Sequence, residues 1–258
     1  MKIVVCVKRV PEIDQIKVAN DRIEASGAGM TNPFDMYAIE EAIRIKEKTS
    51  GEVIALTVGS EDSDLALREA LSIGVDSAVR VWQDDIKESD ILATAGILSA
   101  AIEKIGDVDL AIFGKQAVDD DASSVSGAVG GFLGFPQVLF VKKIREIDEG
   151  KLVAERATED GFDIVETSLP AVISVVKEIN EPRLPSLKGK MKAKKAPIEV
   201  LGLADIGLET TAVGAASPSR QIKAEEPPPR PAGEILQGSS PEELADALIA
   251  KLKEEKLI

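Results

Sequence analysis

The residues able to do chemistry in this chain gather in one stretch, Val108 to Ser124, which reads VDLAIFGKQAVDDDASS. The apolar run Val108 to Phe113 has the length and composition of a buried strand, and it stops at Gly114 ahead of polar residues and three consecutive aspartates. A small-residue segment then rises into an apolar helix expected over Val125 to Leu133. Strand, polar loop and helix start, in that order, bring backbone N–H groups and a positive dipole end to the carboxyl edge of a sheet. Such an edge is a seat for a phosphate. On spacing alone, an ordinary strand-to-helix connection with a solvated acidic loop is the simpler account. Asp119, Asp120 and Asp121 have the ligands for magnesium, yet adjacent carboxylates on a loop more often meet solvent or neighbouring N–H groups.

Other chemistry is missing. With no histidine, Ser-His-Asp catalysis, imidazole acid–base work and the common zinc sites are excluded. The single cysteine, Cys6, lies inside the apolar run Ile3 to Val7 and allows neither an internal disulfide nor a cysteine-rich metal site. No GxGxxG follows the first strand, no Walker lysine loop occurs, and Gly59 to Asp62 lacks the SGGxDS pattern. A nucleotide seat without a nucleophile and base suits a binding subunit better than an enzyme. At 258 residues and a net charge of −14, the chain can bury a sizeable core but lacks the basic surface that nucleic acid needs. It opens on a strand with no n-region and has no uninterrupted apolar stretch of ~18 residues, so it reads as soluble and cytoplasmic, without direct membrane insertion.

The elements that position the loop follow an alternating rhythm. Ile3 to Val7, Val53 to Val58 and Val79 to Trp82 read as buried strands, and Glu12 to Gly29 suggests a small hairpin turning at Asn20 and Asp21. The NPFD run starts a helix with Asn32 as N-cap, Pro33 at N1 and Asp35 at N3; Ile39, Ala42, Ile43 and Lys46 form its inward stripe, leaving Glu40, Glu41, Arg44 and Glu47 outward. Ser60 starts a second helix that stops at Gly74. Ser89 is expected to cap a third, whose stripe is Ile91, Ala95, Leu98 and Ile102 and whose stop is Gly106. Short connections between strands and helices imply right-handed crossovers and a parallel sheet covered on both faces. After Gly134, four strands follow, Val138 to Ile147, Lys151 to Arg156, Phe162 to Ser168 and Val172 to Val176, too close for helices and therefore expected to pair antiparallel.

Asn180 to Pro197, NEPRLPSLKGKMKAKKAP, reads as a long connection with a basic run in an acidic chain. Leu184 lies there between Arg183 and Pro185, an exposed apolar residue beside a cation and a credible partner contact. The proline-rich stretch Glu225 to Pro231 reads as an extended arm, and Ser240 with Pro241 starts a last helix carrying Leu244, Leu248 and Leu252 on one face. Two units are expected, residues 1–197 and 198–258.

The GKQAVDDD loop closely resembles the nucleotide loop of the beta (small) subunit of electron transfer flavoproteins. Further matches lie at VKR, at MTNPFDMYAIEEAIRIKE, at RATEDGFDIVETSLPAVISV, which looks like the family's diagnostic signature, and at NEPRLPSLKGKMKAKK. The resemblance implies an α/β fold: a parallel-sheet nucleotide-binding domain of the adenine nucleotide alpha hydrolase-like kind, with added antiparallel strands and an extended C-terminal arm. It implies a heterodimer with an alpha subunit that holds most of the redox FAD, while this chain buries AMP as a structural ligand. Electrons would come from dehydrogenases, such as the acyl-CoA dehydrogenases of fatty acid beta-oxidation, and leave to a membrane quinone oxidoreductase. Carried over to this sequence, AMP would touch Cys6, Asn32, Pro33, Phe34, Val58, Gly114, Lys115, Gln116, Ala117, Val118, Asp119, Asp120, Asp121, Ala122, Ser123, Ser124 and Val125. The phosphate is expected on the N–H groups of Ser123, Ser124 and Val125. Partner recognition falls to Leu184 with Lys188, Lys190, Lys192, Lys194 and Lys195. Two alternatives stay open. One is the electron-bifurcating branch with a second FAD in place of AMP, toward which NPFDMY leans while Lys115 and Asp120 lean away; the other is a free-standing adenine-nucleotide sensor.

Overall fold

A computed structural model of the chain describes residues 1–148, 150–230 and 232–258. The turn expected over 148–150 and the proline stretch 225–231 each contain one residue, Glu149 and Pro231, outside the described set. The described chain forms two compact units, Met1–Ala224 and Glu225–Ile258.

In the first unit, β1 (Lys2–Cys6) leads to a short β2 (Arg9–Val10), then to the hairpin of β3 (Ile16–Ala19) and β4 (Arg22–Ala25), and β5 (Met30–Thr31) pairs back onto β2. The hairpin turns at Asn20 and Asp21, both at positive φ, as a tight two-residue turn requires. Alternation begins next: α1 (Pro33–Thr49), β6 (Glu52–Val58), α2 (Asp64–Ile73), β7 (Ser77–Val81), α3 (Ile91–Ile105), β8 (Leu110–Gly114) and α4 (Val125–Leu133). The strands β9 (Gln137–Ile147), β10 (Lys151–Thr158), β11 (Gly161–Ser168) and β12 (Ala171–Val175) follow, then α5 (Leu187–Lys195) and β13 (Glu199–Leu201).

One sheet runs β11-β10-β9-β12-β8-β1-β6-β7-β13. All pairs from β9 to β13 are parallel, and only β10 runs against both of its neighbours. Alternate residues of each central strand enter opposite faces, as the two-residue pleat demands. Ile3, Val5, Ala55, Leu110 and Ile112 pack under α1 and α2; Val4, Cys6, Leu56, Ala111 and Phe113 pack under α3 and α4. The result is a parallel sheet covered by helices on both sides, the fold class that alternation and buried strands imply. From β1 the chain builds outward to β6 and β7, then α3 carries it back so that β8 lands on the other side of β1. That reversal opens a crevice at the strands' carboxyl ends. Among the described residues, no helix is long and apolar enough to cross a membrane.

Several local expectations are corrected. β12 is not antiparallel to its predecessors; its five buried residues slot between β8 and β9, parallel to both, because a strand with four apolar residues of five needs the sheet interior. Glu40 and Glu41 are buried, not outward, since basic and amide groups of the 180–183 segment come down to meet them. Asp90, not Ser89, caps α3, accepting from the Ala93 N–H at 2.8 Å. Asn32 precedes α1 without capping it by side chain. Residues 198–224 return to the first unit through β13 and short turns at 203–206, 210–212 and 214–216, so that unit runs past position 197 to Ala224. In the second unit, α6 (Pro241–Glu254) starts at Ser240, whose hydroxyl accepts from the Glu243 N–H at 3.2 Å while Glu243 accepts from the Ser239 N–H at 2.7 Å.

The basic run is a helix rather than an open connection. Ser186 caps α5 by accepting from the Gly189 N–H at 3.0 Å, Ala193 is buried, and Arg68 on α2 donates to the carbonyls of Ala193 and Ala196. Gly189 lies so close to α2 that a Cβ there would overlap the Ser72 carbonyl oxygen. Gly189→Ala is therefore expected to loosen α5, at an overpacking cost of about 1–3 kcal/mol. Hydrogen–deuterium exchange should show faster exchange over residues 187–195 with β1, β6 and β8 still protected. Unchanged protection of α5 would remove this contact as the reason the helix is held.

Candidate functional site

The crevice at the sheet reversal is a cavity of about 350 Å³. Its floor is the strand exits: Cys6, Val7 and Lys8 after β1, Val58 at the end of β6, Trp82 after β7, and Phe113 to Lys115 at the end of β8. One wall is the start of α3, with Ile91, Thr94 and Leu98, and the segment Ile86 to Asp90 before it. That segment is braced from outside: the Gly214 N–H donates to Ser89 Oγ at 2.8 Å, and the Ser219 N–H donates to Asp90 at 2.8 Å. The opposite wall is the loop after β8 and the first turn of α4.

That loop leaves the helix end open. Asp121 and Ser123 adopt positive φ, and the Ser124 hydroxyl turns back to donate to the Ala122 carbonyl at 2.6 Å, so no side chain caps α4. The first-turn N–H groups, which have no partner within a helix, start at Val125 and Ser126 on the cavity wall. The aspartates are turned to other work. Lys8 Nζ reaches Asp119 at 2.8 Å and Asp120 at 3.1 Å; Asp120 also accepts from the Ala122 N–H at 3.1 Å, and Asp121 accepts from the Gln116 amide.

Of the residues that sequence points to, the cavity brings together Cys6, Asn32, Val58, Gly114, Lys115, Gln116, Ala117, Asp120, Ala122, Ser123, Ser124 and Val125. Pro33, Phe34, Val118, Asp119 and Asp121 do not line it. Asn32 does so with its polar atoms occupied: Nδ2 donates to Asp35 and to the Gln116 carbonyl, both at 2.8 Å, and Oδ1 accepts from the Val118 N–H at 3.2 Å. Its work is to shape the loop. Spacing placed Ile91 and Leu98 on a helix stripe and Trp82 at a strand end but did not mark them, Ile86 or Thr94 as site residues, because the part of the helix residues in the cavity depends on α3 crossing the sheet. Lys8 and Trp82 were the findable ones, standing just past the ends of parallel strands where ligands of such sheets bind.

The electron transfer flavoprotein domain matches residues 22–206. Over its whole length, and the whole of each relative, the chain is 36% identical to the caffeyl-CoA reductase-Etf complex subunit CarD of Acetobacterium woodii and to the electron transfer flavoprotein subunit beta of Thermoanaerobacterium thermosaccharolyticum. It is 37% identical to the electron transfer flavoprotein subunit beta of Mycobacterium bovis, with 96% of this chain and 98% of the relative covered. The chain belongs to the electron transfer flavoprotein family, with beta subunits as its relatives.

Within this flavoprotein chain, the cavity's charges are set by burial. Asp35 accepts from the Lys8 N–H at 2.8 Å and from Asn32; burial pushes its carboxyl up to about 7, against the opposing pull of Asn32, the Lys8 and Gly114 N–H groups and the Lys8 charge. The Cys6 thiol is raised well above its ordinary value, first by burial and then by the Asp35 charge, so it is an apolar contact and not a nucleophile. Burial works to lower the Lys8 ammonium, but its hydrogen bond to Asp119 and the charges of Asp119 and Asp120 outweigh it and leave it raised.

A carboxyl whose folded pKa exceeds its unfolded value near 3.9 holds a proton in the folded state that the unfolded chain has lost. Stability therefore falls as pH rises from about 4 to about 7, by as much as a few kcal/mol at 1.36 kcal/mol per unit. Chemical denaturation of wild type and Asp35→Asn across that range should show wild type losing ground relative to the variant as pH rises. Parallel pH profiles would refute the burial-raised carboxyl.

Proposed function

We propose that this chain is the beta subunit of a heterodimeric electron transfer flavoprotein, an electron carrier subunit without catalytic residues of its own. In this reading the cavity holds AMP as a structural ligand, and the redox FAD is shared with, and held mainly by, an alpha subunit. The dimer takes electrons from dehydrogenases, acyl-CoA dehydrogenases being the class proposed, and passes them toward a membrane quinone oxidoreductase; the place of action is the cytoplasm.

The observation that carries the nucleotide reading is the open N-terminus of α4 facing a cavity with apolar walls. Cys6, Val58, Trp82, Ile91, Leu98 and Phe113 offer an adenine-sized, mostly apolar slot, and the first-turn N–H groups of α4 offer donors and a positive dipole to a phosphate. Lys8 pairs with both Asp119 and Asp120 and so weakens the repulsion they would exert on that phosphate. Bound FAD would supply the acceptor of electrons; this chain's residues bind, enclose and exclude water. A relative that is a subunit of a caffeyl-CoA reductase-Etf complex supports the broader idea of work beside an enzyme of CoA thioesters. The C-terminal helix, with Leu244 and Leu248 exposed, is proposed to complete the surface toward the alpha subunit.

Purified with its alpha partner, the dimer is expected to release one AMP and one FAD on denaturation, identified by mass. Two FAD and no AMP would replace this reading with the bifurcating one, which the NPFDMY segment favours.

Leu184 is proposed as the anchor for the donor dehydrogenase, supported by Lys188, Lys190, Lys192, Lys194 and Lys195, which steer an acidic partner surface. Leu184 is 91% exposed, and Leu187 (78%) and Met191 (63%) continue an apolar ridge along the basic helix. Losing a buried leucine contact costs roughly 1.5–3 kcal/mol, so Leu184→Ala should slow flavin reduction by an acyl-CoA dehydrogenase by about tenfold or more while AMP and FAD content hold. An unchanged rate in Leu184→Ala with a slowed Leu187→Ala would move the anchor to the first residue of α5.

A further inference from the structure

Arg183, beside the most exposed leucine of the chain, is bound on every side by α1. Its Nε donates to Glu40 Oε2 at 2.8 Å, Nη2 donates to both Glu40 Oε1 at 3.1 Å and Glu47 Oε2 at 3.2 Å, and Nη1 donates to Glu47 Oε1 at 2.7 Å. Its own N–H also donates to Glu40 Oε2 at 3.2 Å. A planar guanidinium shared by two carboxylates and tied through its backbone has little freedom left. Glu40 is almost wholly buried, with Arg44 Nε completing its shell at 2.6 Å. Burial would raise the Glu40 carboxyl, but the hydrogen bonds from Arg183 and Arg44 outweigh it and hold it below its usual range. Three residues earlier, the Asn180 amide donates to the Tyr37 carbonyl and to Glu41 Oε2, both at 3.0 Å.

The segment is fixed at its other end too. Arg68 reaches the carbonyls at the end of α5, and Gly189 sits against the Ser72 carbonyl. Between these anchors stand Leu184 and Leu187, which the chain itself leaves almost bare. Bare apolar side chains on a free loop would cost ordering entropy at each encounter; on a segment fixed beforehand that cost is already met in the folded state.

We infer that Glu40 and Glu47, through Arg183, are positioning residues that hold the Leu184 segment in its docking conformation. The consequence for charge is that Arg183 is not among the cations that steer a partner; its charge is satisfied by α1. The inference rests on the docking reading proposed above.

The test uses the full chain copurified with its alpha subunit. In Glu40→Gln, limited trypsin should cut after Arg183 about tenfold faster, with the site identified by mass, since tenfold corresponds to about 1.4 kcal/mol, the order of one charged hydrogen bond. Glu47→Gln removes the exposed half of the clamp without touching the buried carboxylate; it should show the same change to a lesser degree and keeps the test valid if Glu40→Gln folds poorly. With an acyl-CoA dehydrogenase as electron donor, both variants should raise KM for the donor and leave kcat and nucleotide content unchanged. Cleavage and KM both as in wild type would overturn the clamp. Faster cleavage with an unchanged KM would overturn the positioning role. If Leu184→Ala and Leu187→Ala leave the KM unchanged, the docking reading fails by itself, and the cleavage rate still decides whether the clamp holds the segment.

Discussion

A carboxylate buried where three chain segments meet sets the geometry of the crevice at the sheet reversal. Taking Asp35 out of water is tolerable only because donors converge on it: the Lys8 N–H from the exit of β1, the Asn32 amide from the entry to α1, and the Gly114 N–H from the end of β8. Each donor belongs to a different element, so satisfying one side chain fixes three elements against one another. Gly114 has no side chain because none fits: a Cβ would overlap Asp35 and the Phe34 backbone. Asn32 then carries the constraint outward, holding the Gln116 carbonyl and the Val118 N–H and so fixing the path of the loop. The crevice is the space these bonds keep open.

The acidic triplet is better understood against that frame. In an acidic chain, three adjacent aspartates beside an anion seat would oppose the very ligand the helix end invites. Lys8 takes two of them, Gln116 takes the third, and the loop N–H of Ala122 takes part of the second. What remains directed at the cavity is the unpaired start of α4. The backbone dipoles at that helix start add a positive contribution beside the paired side-chain charges.

The parallel sheet was legible in the sequence because strand patterning and helix stops are local. Ile3 to Val7, Val53 to Val58 and the helix Val125 to Leu133 need only their own residues to be recognised, and α4 has those bounds. The failures share one cause, which is that partners distant in sequence decide the outcome. Glu40 and Glu41 read as solvent-facing from helical spacing, and are buried because Arg183 and Asn180 arrive from about 140 positions away. β12 read as one more antiparallel strand, and is drawn into the parallel region by four apolar residues with no other place to be buried. β13 went unread because three residues carry no period, and its assignment depends on the open edge of β7. In the site, loop residues adjacent in sequence were found, and the α3 wall was not.

One helix joins the crevice to the exposed leucine ridge. α1 starts among Asn32 and Asp35 at the crevice and spans 17 residues, about 25 Å at 1.5 Å per residue. Its later turns carry Glu40, Glu41 and Glu47, the groups that receive Asn180 and Arg183. A ligand in the crevice stabilises the native state by mass action and needs no reactive group to do so. Because the same helix is pinned at the crevice end by buried hydrogen bonds and at the other by an ion-pair clamp, the spacing between crevice and exposed leucine ridge is set by helix pitch. Where two regions must keep one geometry, a fixed spacer serves where a flexible linker of the same length would not.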